Sequence, residues 1–151
     1  MSFDIDFDRV TENIYVGSVP TNRADVKTLL SCGIDAVLNL QTDLDMRLYS
    51  IDWQQMLNYY AEAGIEVVRH PIRDFDPEDL RNNLRGAALA LSELLNKGHR
   101  VYVHCTAGIN RSPTVVIAYL HWYLGHSLDE ATDVMKLSRF CEPYPHLIEG
   151  I

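Results

Sequence analysis

Three short apolar runs, IDAVLNL (34–40), IEVVRHPI (65–72) and RVYVH (100–104), alternate with stretches of helical periodicity, and that alternation leaves few folds open. Each run is rich in β-branched residues and too short for a helix, so each reads as a strand. NIYVGSVP (13–20) reads the same way, closed by a turn. Between the strands, residues 21–31 carry Ala24, Val26, Leu29 and Leu30 at helical spacing and stop at Cys32-Gly33. Residues 51–63 form a second helical stretch, ended by Gly64. A third opens at Pro77-Glu78 and keeps Leu80, Leu84, Ala87, Ala88, Leu91, Leu94 and Leu95 on one face until Gly98. A helix with Pro113 in its first turn runs to about Leu124, and Ser127 with Glu130 supplies a capping box for another. This order predicts an α/β domain with a central, mainly parallel sheet flanked by helices. At 151 residues, a single domain over 1–151 is expected.

Composition removes several function classes. With 47% hydrophobic and 23% charged residues the chain is expected to be a soluble globular protein. No apolar run approaches a membrane span. The opening MSFDIDFDRV is acidic and lacks the basic-then-apolar order of a secretory signal. The formal net charge is −8 and the basic residues are scattered, which disfavours nucleic acid and anionic membranes as partners. Three cysteines, Cys32, Cys105 and Cys141, suggest no disulfide framework, and no Cys/His cluster has zinc-ligand spacing. A reducing, cytoplasmic setting without a metal is the expectation.

The strand at 100–104 runs directly into CTAGINRSPT (105–114). In open α/β sheets, ligands bind beyond the carboxyl ends of the strands, where this loop lies. A loop entering a helix N-terminus can aim several backbone N–H groups inward, and the helix dipole adds positive potential. Thr106, Ala107, Gly108, Ile109 and Asn110 would form such a cradle for a tetrahedral dianion. Gly108 permits a positive φ or a close approach, and Asn110 tolerates the same region. Arg111 can hold two phosphoryl oxygens at once. Cys105 at the base would be a thiolate nucleophile stabilised by the same amides, with Ser112 hydrogen-bonded to its sulfur. A lone cysteine at a strand end is most often only a small buried residue. Here the glycine, arginine, serine and helix start all fall where an anion cradle needs them, and the combination outweighs that reading.

Such a site needs a general acid for the leaving oxygen. In HPIRDFDPEDL, Asp74 and Asp76 lie in a turn between a strand and the Pro77 helix. Asp76 and Asp79 read as helix-start residues beside the dipole. Asp74 is the better acid, because Phe75 beside it could shelter the carboxyl and raise its pKa. Cys141 reads as structural, and Tyr15 and Tyr119 as core.

These residues carry a family resemblance. HCTAGINRSP fits the His-Cys-x5-Arg-Ser/Thr signature, and the chain resembles the cysteine-dependent protein tyrosine phosphatases, in size their dual-specificity branch. Over about residues 13–148, VGSVP, LNLQTD, IRDFDPEDLR, YVHCTAGINR and SRFCEPYPHLI look similar to the catalytic domain of plant starch-excess type glucan phosphatases and, more distantly, laforin. The resemblance implies Cys105 as nucleophile, Arg111 as phosphate clamp and Asp74 as general acid, with no cofactor. It also implies a phosphoprotein substrate, carrying phosphotyrosine and phosphoserine or phosphothreonine, with phosphoglucan as the alternative. For a glucan, Phe75, Tyr49 and Trp53 are the aromatic candidates. A phosphate-binding module without turnover is the rival of another class.

Overall fold

The computed structural model describes residues 4–151. The first three residues of the acidic opening, and so the start of the expected 1–151 domain, lie outside the described residues. The elements run β1 (Phe7–Thr11), β2 (Ile14–Gly17), α1 (Arg23–Ser31), β3 (Ala36–Asn39), α2 (Asp43–Leu48), α3 (Trp53–Glu62), β4 (Glu66–Arg69), α4 (Pro77–Asn96), β5 (Val101–His104), α5 (Arg111–Leu124) and α6 (Leu128–Ser138). A 3-10 turn follows at Pro145–Leu147.

The five strands form one sheet in the order β1-β2-β5-β3-β4. β2, β5, β3 and β4 are parallel, and only β1 pairs antiparallel, as a hairpin on β2. The expected α/β domain with a mainly parallel sheet is the fold observed. Two elements differ from the sequence expectation. β1 is a half-buried edge strand whose FDRVT sequence lacks apolar alternation, and α2 is only six residues long.

β5 lies between β2 and β3, so its carboxyl end opens at the middle of the sheet edge. Its residues alternate between faces, as the strand period requires. Val101 and Val103 belong to the same buried cluster as Leu84, Leu91, Val116 and Leu120 from α4 and α5. Tyr102 belongs to the second cluster, with Val26, Leu29, Met56 and Tyr60 from α1 and α3. α5 is buried continuously from Arg111 to Leu120, which explains why its sequence is apolar all round. A helix seated this deeply fixes whatever its N-terminus presents. Tyr15 and Tyr119 are buried, as expected. Among the described residues no helix is long and apolar enough to cross a membrane.

Candidate active site

Cys105 follows β5 directly, is 3% exposed, and its Sγ lies 3.2 Å from Ser112 Oγ in the first turn of α5. Asn110 is the N-cap of that helix but makes no side-chain capping bond. Its side chain instead donates to the Glu142 carbonyl at 2.8 Å. The first amides of α5 are therefore left to whatever occupies the loop.

The loop's carbonyls show which way its amides face. Cys105 O accepts from His104 Nδ1 at 2.8 Å, and Thr106 O from the Val19 amide at 2.9 Å. Ala107 O and Gly108 O accept from Arg139 Nη2 and Nε at 3.0 and 2.9 Å. Ile109 O accepts from the Glu142 amide at 2.8 Å, and Asn110 O from the Thr114 amide and hydroxyl at 3.1 and 2.7 Å. A trans peptide points its N–H opposite to its C=O. With each carbonyl from Cys105 to Asn110 tied outward, the amides of residues 106–111 turn inward over the sulfur. Gly108, at φ 71°, makes this possible: a Cβ there would lie 2.5 Å from the Gly17 carbonyl carbon and oxygen. The cradle rests on the end of β2.

A carbonyl only accepts, so His104 carries its proton on Nδ1, and burial lowers its pKa from 6.5 to about 4. It is a neutral strut beneath the loop, stacked on Tyr102.

Arg111 is 2% exposed and crosses the mouth of the cradle. Nη1 donates to Asp45 Oδ2 at 2.7 Å and to the Ile72 carbonyl at 2.9 Å. Nη2 meets Thr106 Oγ1 at 3.3 Å and Asp74 Oδ2 at 3.4 Å. The Nη1 bonds are short and both contacts of Nη2 are long, so the Nε–Nη2 edge is the one an oxyanion could take over as a fork. Thr106 Oγ1 also accepts from Gln41 Nε2 at 2.8 Å. Asp45 is held by a capping box with Thr42. Burial works against its charge, but the bonds from Arg111 and Thr42 outweigh it and hold the carboxyl below its ordinary range.

The structure separates the neighbouring acids. Asp76 caps α4 by accepting from the Asp79 amide at 3.0 Å, and Asp79 accepts from the Arg73 amide at 2.7 Å. Only Asp74 of the three approaches Arg111. The expected shelter from Phe75 is absent: its backbone is left-handed, φ 57°, and its ring is 95% exposed. Phe75 instead stands at the wall of a cleft of about 430 Å³ beside the cradle, with Leu44, Leu48, Tyr49, Arg73 and Asp74. Trp53 does not line it; the ring packs under Arg69, 5.4 Å from the guanidinium carbon. Cys141 is buried, which raises its thiol pKa, and Cys32 is half-buried on the other face of the sheet.

Sequence reasoning brought Cys105, Thr106 to Asn110, Arg111, Ser112 and Asp74 to one place. It missed Asp45, Gln41 and Arg139. Asp45 carried a signal, the Thr42-x-x-Asp45 capping spacing before a helix. Arg139 carried none, since its loop partners lie 31 and 32 residues away.

Residues 14–147 match the family described as Dual specificity phosphatase, catalytic domain. The chain is 38% identical, over 91% of its length, to the chloroplastic phosphoglucan phosphatase LSF1 of Arabidopsis thaliana, of which it covers 23%. It is 32% identical, over 81% of its length, to laforin of Mus musculus, of which it covers 40%. It thus spans well under half the length of these curated relatives. Among solved structures, Tk-PTP in its active form is 26% identical with a TM-score of 0.70, and the match covers 96% of this chain and 97% of that one. Signature loop, sheet order and family match agree: the chain belongs to the dual-specificity phosphatase catalytic-domain family.

Proposed function

We propose that this domain hydrolyses phosphomonoesters through a cysteinyl-phosphate. The observation that carries the reading is a buried sulfur beneath a loop whose carbonyls are all tied outward, with a guanidinium fork across the mouth. Cys105 Sγ attacks phosphorus as the thiolate. The S–P bond forms, the P–O ester bond breaks, and Asp74 gives its proton to the departing oxygen. Water then attacks phosphorus and Asp74 takes its proton. The S–P bond breaks, releasing inorganic phosphate and the thiolate, which Ser112 stabilises. The amides of residues 106–111 and Arg111 hold the equatorial oxygens throughout.

For substrate, the open cleft supports a phosphoprotein reading, covering phosphotyrosine and phosphoserine or phosphothreonine. Exposed Phe75 and Tyr49 on the cleft wall, together with the names of the relatives, favour phosphoglucan as a second reading. Because the nucleophile must stay a free thiol, a reducing, cytoplasmic setting is part of the proposal. The test is phosphate release from an aryl phosphate, a phosphopeptide panel and solubilised phosphoglucan, side by side, with Cys105→Ser as the blank. Turnover by the wild type and none by the variant is expected. A wild type silent on every substrate would make this a binding module instead.

A further inference from the structure

Behind the cradle lies a buried cation that the proposed chemistry does not use. Arg139 follows the last turn of α6, and its side chain is 2% exposed. Nε and Nη2 donate to two successive loop carbonyls, Gly108 O and Ala107 O. Nη1 meets Asp8 at 3.0 Å and Asp6 at 3.3 Å, and Nη2 meets Asp6 at 3.3 Å. The acids come from β1 and the residues before it, at the opposite end of the chain. The Asp6 and Asp8 side chains are 75% and 44% exposed and keep water as a partner. The buried guanidinium has only the protein, and a buried cation without counter-charge is costly.

The peptides it grips flank Gly108, the loop residue with the greatest backbone freedom. If either peptide turned over, its carbonyl would face the phosphoryl oxygens where an amide is needed. A planar fork reaches both carbonyls at once; a lysine ammonium has no such fixed spacing. Hydrogen bonding to a carbonyl also polarises the N–H of the same peptide.

We propose that Arg139 is a positioning residue for phosphoryl transfer: it locks the two peptides around Gly108 so that the Gly108 and Ile109 amides face the substrate, with Asp6 and Asp8 neutralising it. This rests on the cradle reading above.

Inorganic vanadate, a five-coordinate mimic of the phosphoryl transition state, is the probe, with aryl-phosphate turnover measured alongside. Removing a direct oxyanion donor costs roughly 100- to 1,000-fold, so Arg139→Gln, which only releases two such donors, is expected to raise the vanadate inhibition constant by about tenfold or more. Arg139→Lys is expected to fall between the two. A role confined to holding the fold together would lower kcat by reducing the folded population and leave KM and the vanadate constant unchanged. That result, or full activity, overturns the proposal. If Arg139→Gln does not fold, the Asp6→Asn/Asp8→Asn double variant decides, since both changes fall on solvent-accessible side chains. A rise of about threefold in its vanadate constant is expected from the weakened charge-assisted bonds, and an unchanged constant overturns the proposal. A wild type with neither turnover nor vanadate inhibition overturns the cradle reading and this inference with it. An active wild type with an unaffected Arg139 variant overturns this inference alone.

Discussion

Asp45 Oδ2 and Arg111 Nη1 lie 2.7 Å apart, both side chains almost wholly buried, and the pair ties α2 to the first turn of α5. Removing one partner of such a pair strands the other charge, so Asp45→Ala is expected to cost about 3 kcal/mol in urea unfolding. With Nη1 held by the Ile72 carbonyl alone, the fork loses its aim, and kcat/KM on an aryl phosphate should fall roughly 100-fold. Stability lost without activity lost would show that Asp45 serves only the fold.

Asp74 and Asp76 are expected to part company. On an alkyl phosphate, whose leaving oxygen needs a proton, Asp74→Asn should lower kcat by about 100-fold or more. On an aryl phosphate with an acidic phenol the loss should be much smaller. Asp76→Asn keeps a good N-cap and should leave both rates nearly unchanged, whereas Asp76→Ala should cost about 1 kcal/mol of stability. Reversed kinetics in the two asparagine variants would move the acid to Asp76.

His104 gives the domain an acid-side weakness. Its pKa is about 4 when folded, against an ordinary value of 6.5, because burial disfavours the imidazolium. Between those values the unfolded chain binds the extra proton. The stability from neutral His104 is therefore fully present above pH 6.5 and is lost as pH falls towards 4. The full shift corresponds to about 3 kcal/mol. Urea midpoints at neutral pH and near pH 4.5 should diverge less in His104→Gln than in the wild type. Equal divergence would place the acid sensitivity elsewhere.

Substrate class turns on two exposed rings. Phe75→Ala and Tyr49→Ala, assayed on aryl phosphate and on phosphoglucan, are expected to lose glucan activity selectively if the cleft wall binds sugar. Losses of about tenfold on glucan with aryl turnover kept would fit one stacking contact of 1–3 kcal/mol, by analogy with aromatic platforms in other sites. Equal losses on both substrates would favour the phosphoprotein reading.

What the sequence disclosed followed from how locally each feature is encoded. The β5–loop–α5 unit is continuous in the chain: strand periodicity, Gly108 and Pro113 specify it within a few residues. α4 was legible from its apolar face, and Asp76 as its cap from the adjacent proline. β1 was not legible, because FDRVT gains its place by pairing with β2 and through Arg139, which lies in a distant part of the chain. The environment of Phe75 also escaped prediction. Its neighbour in sequence is Asp74, yet a left-handed φ directs the ring to solvent, and no residue pattern announced that turn.

Because the anion site consists of backbone amides held from outside, the side chains at its rim are open to drift. Ala107 is exposed and Ile109 partly so, and neither side chain supports the loop through a hydrogen bond. Replacements there can alter which molecule is admitted while the sulfur, the fork and the inward amides keep their places. Specificity in this scaffold is thus separable from reactivity, and a directed-evolution library at positions 107 and 109 would explore new esters without relearning the chemistry.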